Sequence, residues 1–176
     1  MSLVFLLGGA RSGKTALAVE LARKAGGPVT VIATAEPGDE EMSERIRLHR
    51  ADRPEAWRTI EEPLNLETAL AGVADDHVLV IDCLTLWVAN LLARGDGEHF
   101  VEQQGRAAAA RTSSRTALTV AVSNEVGLGV VPATELGRRY RDVLGRVNSA
   151  WAEAADETAL VVAGRLLQLR AADTLL

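Results

Sequence analysis

Five apolar runs punctuate the chain, at residues 3–7, 29–34, 78–81, 117–122 and 159–163. They are continuous rather than alternating, the mark of strands covered on both faces, as in parallel sheets. Between them the spacing turns helical. Residues 15–25 carry Leu17, Leu21 and Ala25 at four-residue intervals, and Gly26-Gly27-Pro28 stops the segment. Met42 and Ile46 lie four apart in a segment opened by Asp39-Glu40-Glu41, acidic residues that suit the positive end of a helix. Residues 64–73, 84–93 and 138–155 are further helical stretches. Residues 94–115 carry the weakest pattern and are expected to form a surface loop and a helix. Strand alternating with helix predicts an α/β fold, a mainly parallel sheet flanked by helices with right-handed crossovers.

Length and composition narrow this picture. At about 150 residues per domain, the 176 residues make one domain, 1–176, with no internal repeat and no linker rich in Gly, Pro or Ser. Hydrophobic residues at 48% and charged residues at 24% describe a folded chain rather than a disordered one. With three Trp, two Phe and one Tyr, the core must come mainly from Ala, Val, Leu and Ile. A net charge of −5 without a long basic run argues against a nucleic-acid or anionic-membrane surface. It leaves room for a small anionic ligand, because a local cradle can bind phosphate in an acidic protein. The lone Cys83 excludes an internal disulfide framework and a multi-cysteine zinc site, and reads as a small buried hydrophobe. No stretch reaches the roughly 18 apolar residues of a membrane span, and the opening MSLVFLLGGA lacks the basic start of a signal peptide. A cytoplasmic protein is expected.

One motif carries specific chemistry. Gly8-Gly9-Ala10-Arg11-Ser12-Gly13-Lys14-Thr15 fits G-x-x-x-x-G-K-[ST] at every position, between an expected strand and an expected helix. Its glycines let backbone N–H groups curl inward around phosphate oxygens, and the following helix aims its positive end at the same point. Lys14 would reach the β- and γ-phosphates, and the Thr15 hydroxyl would ligate Mg²⁺. The chain has only two lysines, Lys14 and Lys24, so Lys14 is no by-product of a lysine-rich composition. A P-loop needs a carboxylate at the end of a second buried strand, and Val78-Leu79-Val80-Ile81-Asp82 supplies one. Asp82 can also be read as the N-cap of the helix that follows. The pairing points to a nucleoside triphosphate, ATP or GTP, bound with Mg²⁺.

Neither lysine follows an Asn, which excludes the Asn-Lys-x-Asp guanine reader of signalling GTPases, and the chain is short for a motor ATPase. A small-molecule kinase fits. Arg45-Ile46-Arg47-Leu48-His49-Arg50 needs a further explanation. If helical, His49 falls at the edge of the Met42–Ile46 face among arginines, where an imidazole would be neutral and nucleophilic. Spacing alone reads it as a surface histidine on a basic helix face. His77 and His99 have no such setting and read as solvated loop residues. The pair Asn124-Glu125 follows the 117–122 strand, and its side chains suit positioning magnesium or a substrate hydroxyl, or equally capping and loop-holding.

Five blocks carry a resemblance across nearly the whole chain: GGARSGKT, IATAEPGDEEMSERIRLHRADRP continued by WRTIEEP, IDCLTLWVANLL, VSNEVGLGVVP and RYRDVLGRVNSAWAEAAD. The sequence resembles the bifunctional adenosylcobinamide kinase / adenosylcobinamide-phosphate guanylyltransferase family of cobalamin biosynthesis. The resemblance implies a RecA-like P-loop fold and two reactions. A primary hydroxyl of adenosylcobinamide is phosphorylated by ATP or GTP, and GMP from GTP is then transferred to that phosphate. The second reaction would pass through a guanylylated histidine, matched here by His49. Nucleotide contacts would fall on Gly8, Gly9, Ala10, Arg11, Ser12, Gly13, Lys14 and Thr15, on Ala33-Thr34-Ala35, on Arg50-Ala51-Asp52-Arg53, and on Glu61 and Asp82. Glu62, adjacent to Glu61, leaves that assignment ambiguous by one residue. The resemblance also implies a homo-oligomer, a trimer whose subunits complete one another's sites. Two rivals stand beside it: a P-loop small-molecule kinase without guanylyl transfer, and a non-catalytic nucleotide-responsive binding protein.

Overall fold

The central strands are nearly featureless hydrocarbon, and their side chains divide between two cores. In the computed structural model, which describes residues 2–51 and 53–171, β1 (Leu3–Gly8) is buried along its whole length. Leu3, Phe5 and Leu7 point to one face of the sheet, and Val4 and Leu6 to the other. The further strands are β2 (Val29–Ala33), β3 (Arg58–Glu61), β4 (Val78–Asp82), β5 (Thr119–Val122), β6 (Glu157–Val162) and β7 (Arg165–Leu169). They form one seven-stranded sheet in the order β3-β2-β4-β5-β1-β6-β7. Every neighbouring pair is parallel except β6 and β7, which run antiparallel.

Helix α1 (Lys14–Ala25) seals one face through Ala18 and Ala22. The other face takes α3 (Leu66–Ala71), α4 (Leu84–Arg94), α5 (Glu98–Ser113) and α6 (Glu135–Ala154). The largest buried side chains lie there. Trp151 meets Phe5 at a ring-centroid distance of 6.2 Å, and the Trp87 indole N–H donates to Leu64 O at 2.9 Å. The stretch expected as surface loop and helix is mostly the sixteen-residue α5, which buries Val101, Ala108, Ala109 and Thr112. It comes so close to α6 that a Cβ at Gly105 would lie 3.1 Å from Val147 Cγ2. Small residues are what such an approach requires.

Two strands lie outside the apolar runs. β3 and β7 occupy the two edges of the sheet, and each is mostly exposed. Helix α2 (Glu40–Ala51) also departs from expectation, because none of its described side chains is buried. It belongs to neither core, and its apolar residues have another use. His77 is a half-buried residue rather than a solvated one, its Nδ1 lying 3.2 Å from Thr30 Oγ1, while His99 is exposed in the first turn of α5.

Candidate functional site

The C-terminal edge of a parallel sheet is where ligands bind in open α/β folds. Here β1, β2, β4 and β5 all deliver their ends to one cavity of about 670 Å³. The turn between β1 and α1 needs three unusual backbone positions, one of them Arg11 at a φ of 55°. Gly13 has φ of 100°, a conformation open to glycine at little cost. Gly8 approaches β6 so closely that a Cβ would stand 2.3 Å from Val161 O. Lys14 is buried, and its ammonium donates to Gly8 O at 2.8 Å, Gly9 O at 2.7 Å and Ser12 Oγ at 3.3 Å. Burial pulls its pKa below the ordinary lysine value, against the opposing influence of Cys83 and Asp82.

Asp82 ends β4 and is the junction of the site. Its Oδ1 lies 3.5 Å from Thr15 Oγ1. Its Oδ2 accepts from Arg53 Nη2 at 3.2 Å and lies 3.3 Å from His49 Nδ1. Burial pushes the carboxyl upward, but the His49 hydrogen bond and charge, with the Arg53 guanidinium, outweigh it and hold Asp82 below the usual carboxylate range. An ionised carboxylate only accepts, so His49 Nδ1–H is the donor in that contact. Arg53 is almost fully buried, and its Nη1 is a buried donor with no hydrogen-bond partner among the described residues. An orphaned guanidinium nitrogen in a cavity wall is a ready donor for a ligand oxygen.

Most of the expected residues meet here. Ala10, Arg11, Ser12, Gly13, Lys14, Thr15, Ala33, Ala35, His49, Arg50, Arg53, Glu61 and Asp82 all line the cavity. Gly8 and Gly9 do not, although their carbonyls hold Lys14. Thr34 is fully buried and ties β2 to the end of β4, its hydroxyl donating to Cys83 O at 2.6 Å and accepting from Cys83 N at 3.0 Å. Ala51 is exposed outside the cavity wall, and Asp52 lies outside the described residues. Glu61 forms an ion pair with Arg50 at the cavity lip. Glu62 turns away and accepts from the amides of Leu64 at 3.0 Å and Asn65 at 2.8 Å, so of the two glutamates it is Glu61 that lines the cavity.

Other lining residues, Asn124 apart, came without warning. Met42 and Ile46 face the cavity rather than the core, so the helical spacing holds but its apolar face has a different target. Cys83, Thr85, Leu86, Val122 and Asn124 also line the wall, with Ala16 and Leu48. Burial first, and Asp82 second, push the Cys83 thiol to about 11, so it is neutral at ordinary pH and no nucleophile. Glu125 holds its own loop by accepting from Gly127 N at 2.6 Å. Asn90 of α4 clamps two wall segments at once, donating to Thr34 O at 2.8 Å and Pro63 O at 3.2 Å. Arg11, Lys14, Arg50 and Arg53 face Glu61 and Asp82, which gives the cavity a cationic excess inside an acidic chain. That arrangement suits a polyphosphate. The facing Thr15 hydroxyl and Asp82 carboxylate fit Mg²⁺, a cation usually held through one or two protein oxygens plus substrate phosphates.

Comparison with known proteins agrees with this chemistry. In fold, the chain matches an ATPase of a bacterial type III secretion system at a TM-score of 0.51 and 14% identity, covering 90% of this chain and 50% of the ATPase. It therefore spans about half of that protein, and the likeness is one of fold. Sequence likeness runs much closer. The bifunctional adenosylcobalamin biosynthesis protein CobP of Pseudomonas aeruginosa is 45% identical over 166 residues, covering 94% of this chain and 95% of the relative. The corresponding CobU proteins of Salmonella typhimurium and Escherichia coli are 41% and 37% identical over 175 residues, each covering 92% of this chain and 96% of the relative. Residues 4–169 match the cobinamide kinase / cobinamide phosphate guanyltransferase family, and the chain belongs to that family.

Proposed function

We propose that this protein phosphorylates adenosylcobinamide with ATP or GTP and then guanylylates the product through His49. One observation carries the proposal: the His49 ring shares a cavity with the P-loop and sits 3.3 Å from the carboxylate that faces Thr15. A histidine on a basic helix face would otherwise have no reason to point there. In the guanylyl step an imidazole nitrogen of His49 attacks the α-phosphorus of GTP. The bond to the α,β-bridging oxygen breaks, and pyrophosphate leaves. The phosphate of adenosylcobinamide phosphate then attacks the same phosphorus, the N–P bond breaks, and His49 is regenerated. Imidazole suits this relay, being both a fair nucleophile and, once protonated, a good leaving group.

The cavity residues divide the remaining work. Lys14 and the inward amides of the P-loop would hold the β- and γ-phosphates, and Arg53 Nη1 would donate to a ligand oxygen. Arg11 and Arg50 would add positive charge at the mouth. Thr15 and Asp82 would hold Mg²⁺, which when bound offsets charge on the phosphates. The test is incubation with GTP labelled at the α-phosphate. Acid-labile, base-stable label on the wild type and none on His49→Ala is the expected result. An unlabelled wild type would reduce the reading to a plain kinase, and loss of cobinamide-dependent turnover as well would leave only a binding protein.

The same reading treats residues 1–176 as one catalytic domain acting in the cytoplasm. Among the described residues, no helix is long and apolar enough to cross a membrane. It also includes a homo-oligomer, with a trimer as the expected form. The apolar segment after β5 supports this, since Val130 is 96% exposed and Leu128 83% exposed. Sedimentation velocity at micromolar concentration decides it, and a monomer there would refute it.

A further inference from the structure

Asn124 lines the same cavity as the P-loop, just past the end of the strand that lies between β1 and β4. Strand β5 runs between β1 and β4, and Val122 is in register with Leu6 on one side and with Asp82 on the other. The chain leaving β5 is therefore flanked by the P-loop and by the carboxylate junction. The Glu125 amide donates to Gly8 O at 3.1 Å, the same carbonyl oxygen that accepts from the Lys14 ammonium at 2.8 Å. The 124–125 peptide is thus one shared acceptor away from the Lys14 ammonium, the cation that would engage the terminal phosphates.

The backbone of Asn124 is unusually well held. Its N–H donates to Thr85 Oγ1 at 2.6 Å, and its carbonyl accepts from Asn148 Nδ2 at 3.0 Å. Asn148 Oδ1 in turn accepts from Ser123 Oγ at 2.7 Å, and Ser123 Oγ lies 3.4 Å from Thr85 Oγ1. Thr85, Ser123 and Asn148 are all buried. A closed network of buried polar groups is costly to build and rigid once satisfied. Both backbone groups of Asn124 are consumed by it, while the side-chain amide makes no hydrogen bond among the described residues and faces the cavity. This is how a protein fixes a ligand-binding group: the contact is left open and its support is locked.

We propose that Asn124 is a catalytic residue of the kinase step, its Nδ2 donating to an oxygen of the γ-phosphoryl group as that group transfers. In this step the acceptor hydroxyl oxygen bonds to the γ-phosphorus. The bond from that phosphorus to the β,γ-bridging oxygen breaks, its electron pair leaves with the nucleoside diphosphate, and the hydroxyl proton passes to solvent. A donor aimed at charge on the transferring group accelerates this reaction more than reaction at the α-phosphorus, from which the γ-phosphate merely departs within pyrophosphate. The inference rests on the two-activity reading above.

The test measures both activities on the same preparations. Asn124→Ala should lower the kcat of phosphoryl transfer to adenosylcobinamide by about 30-fold or more, with the KM for the triphosphate changed by less than about threefold. Labelling of the protein from α-labelled GTP should fall at least about ten times less than kcat. Asn124→Asp keeps the shape, replaces the donor by an acceptor, and should lose phosphoryl transfer at least as severely. Two results overturn the inference: kcat within about twofold of wild type in both variants, or parallel loss of both activities, which would mark a structural role. A wild type that transfers no phosphoryl group would instead refute the underlying reading, so the two failures are distinguishable.

Discussion

Gly8 and Gly9 are neighbours of the same type with opposite demands on them. At Gly8 φ is 152°, and a Cβ would lie 2.3 Å from Val161 O, a backbone atom that cannot rotate away. Relief of about 1 Å would have to come from parting β1 and β6 where Gly8 and Val161 are in register. Overpacking of this kind costs about 1–3 kcal/mol, and the positive φ adds about 1–2 kcal/mol. A central value of about 3 kcal/mol lowers Tm by about 6–12 °C in a chain of this length. At Gly9 nothing lies within 4 Å of the place a Cβ would take, and φ is unexceptional. Gly9→Ala should therefore stay within about 0.5 kcal/mol of wild type. Thermal unfolding by circular dichroism measures both variants, and nucleotide titration shows whether the loop still binds. A Gly8→Ala protein melting within about 2 °C of wild type, or a Gly9→Ala protein destabilised as much, would refute the argument that sheet packing requires the first glycine.

Other expectations follow from the site and its frame. Lys14→Ala should abolish phosphoryl and guanylyl transfer together, a loss of about 100-fold or more, whereas His49→Ala should spare phosphorylation; equal loss in both variants would contradict separate roles. Thr85→Val leaves the Asn124 amide without its acceptor and should cost about 1–3 kcal/mol, read as a lower midpoint in urea. Asp156 accepts from the amides of Leu3 and Ser2, which hold its carboxyl below the ordinary value of 3.8. A depressed carboxylate stabilises the fold above its unfolded pKa and loses that effect as pH falls through the folded one. The Tm gap between wild type and Asp156→Asn should be constant from about pH 7 to about 5 and close only below about 4; a gap that closes at higher pH would refute the assignment.

The sheet's interior is readable because its strands are covered on both faces and so leave continuous apolar runs. β3 leaves no such trace: of Arg58, Thr59, Ile60 and Glu61 only Ile60 is apolar, as an exposed edge allows. β7 does contain Leu166, Leu167 and Leu169, but its pairing with β6 depends on the reversal at Ala163-Gly164, where both residues have positive φ. The P-loop is legible in full, since its shape is dictated by local backbone. The convergence on Asp82 is not. Arg53 and His49 reach it from a helix and its trailing loop whose docking no periodicity encodes, and resemblance alone singles them out. Met42 and Ile46 show the same limit, because a repeat of apolar residues reports a buried face without reporting what buries it.

Asn90 lies on the core side of the sheet, yet it pins two segments that neighbour the cavity wall. One amide nitrogen fastens the segment at Thr34 and the segment at Pro63, and the neighbouring Trp87 fastens Leu64. Two stretches from different crossovers are thereby slaved to the orientation of a single interior helix. The placement of those two stretches becomes a property of hydrocarbon packing around Leu84, Val88 and Leu91, none of which lines the cavity. Selection for a bulkier or slimmer acceptor could act on those interior positions while every group that touches the nucleotide stays as it is.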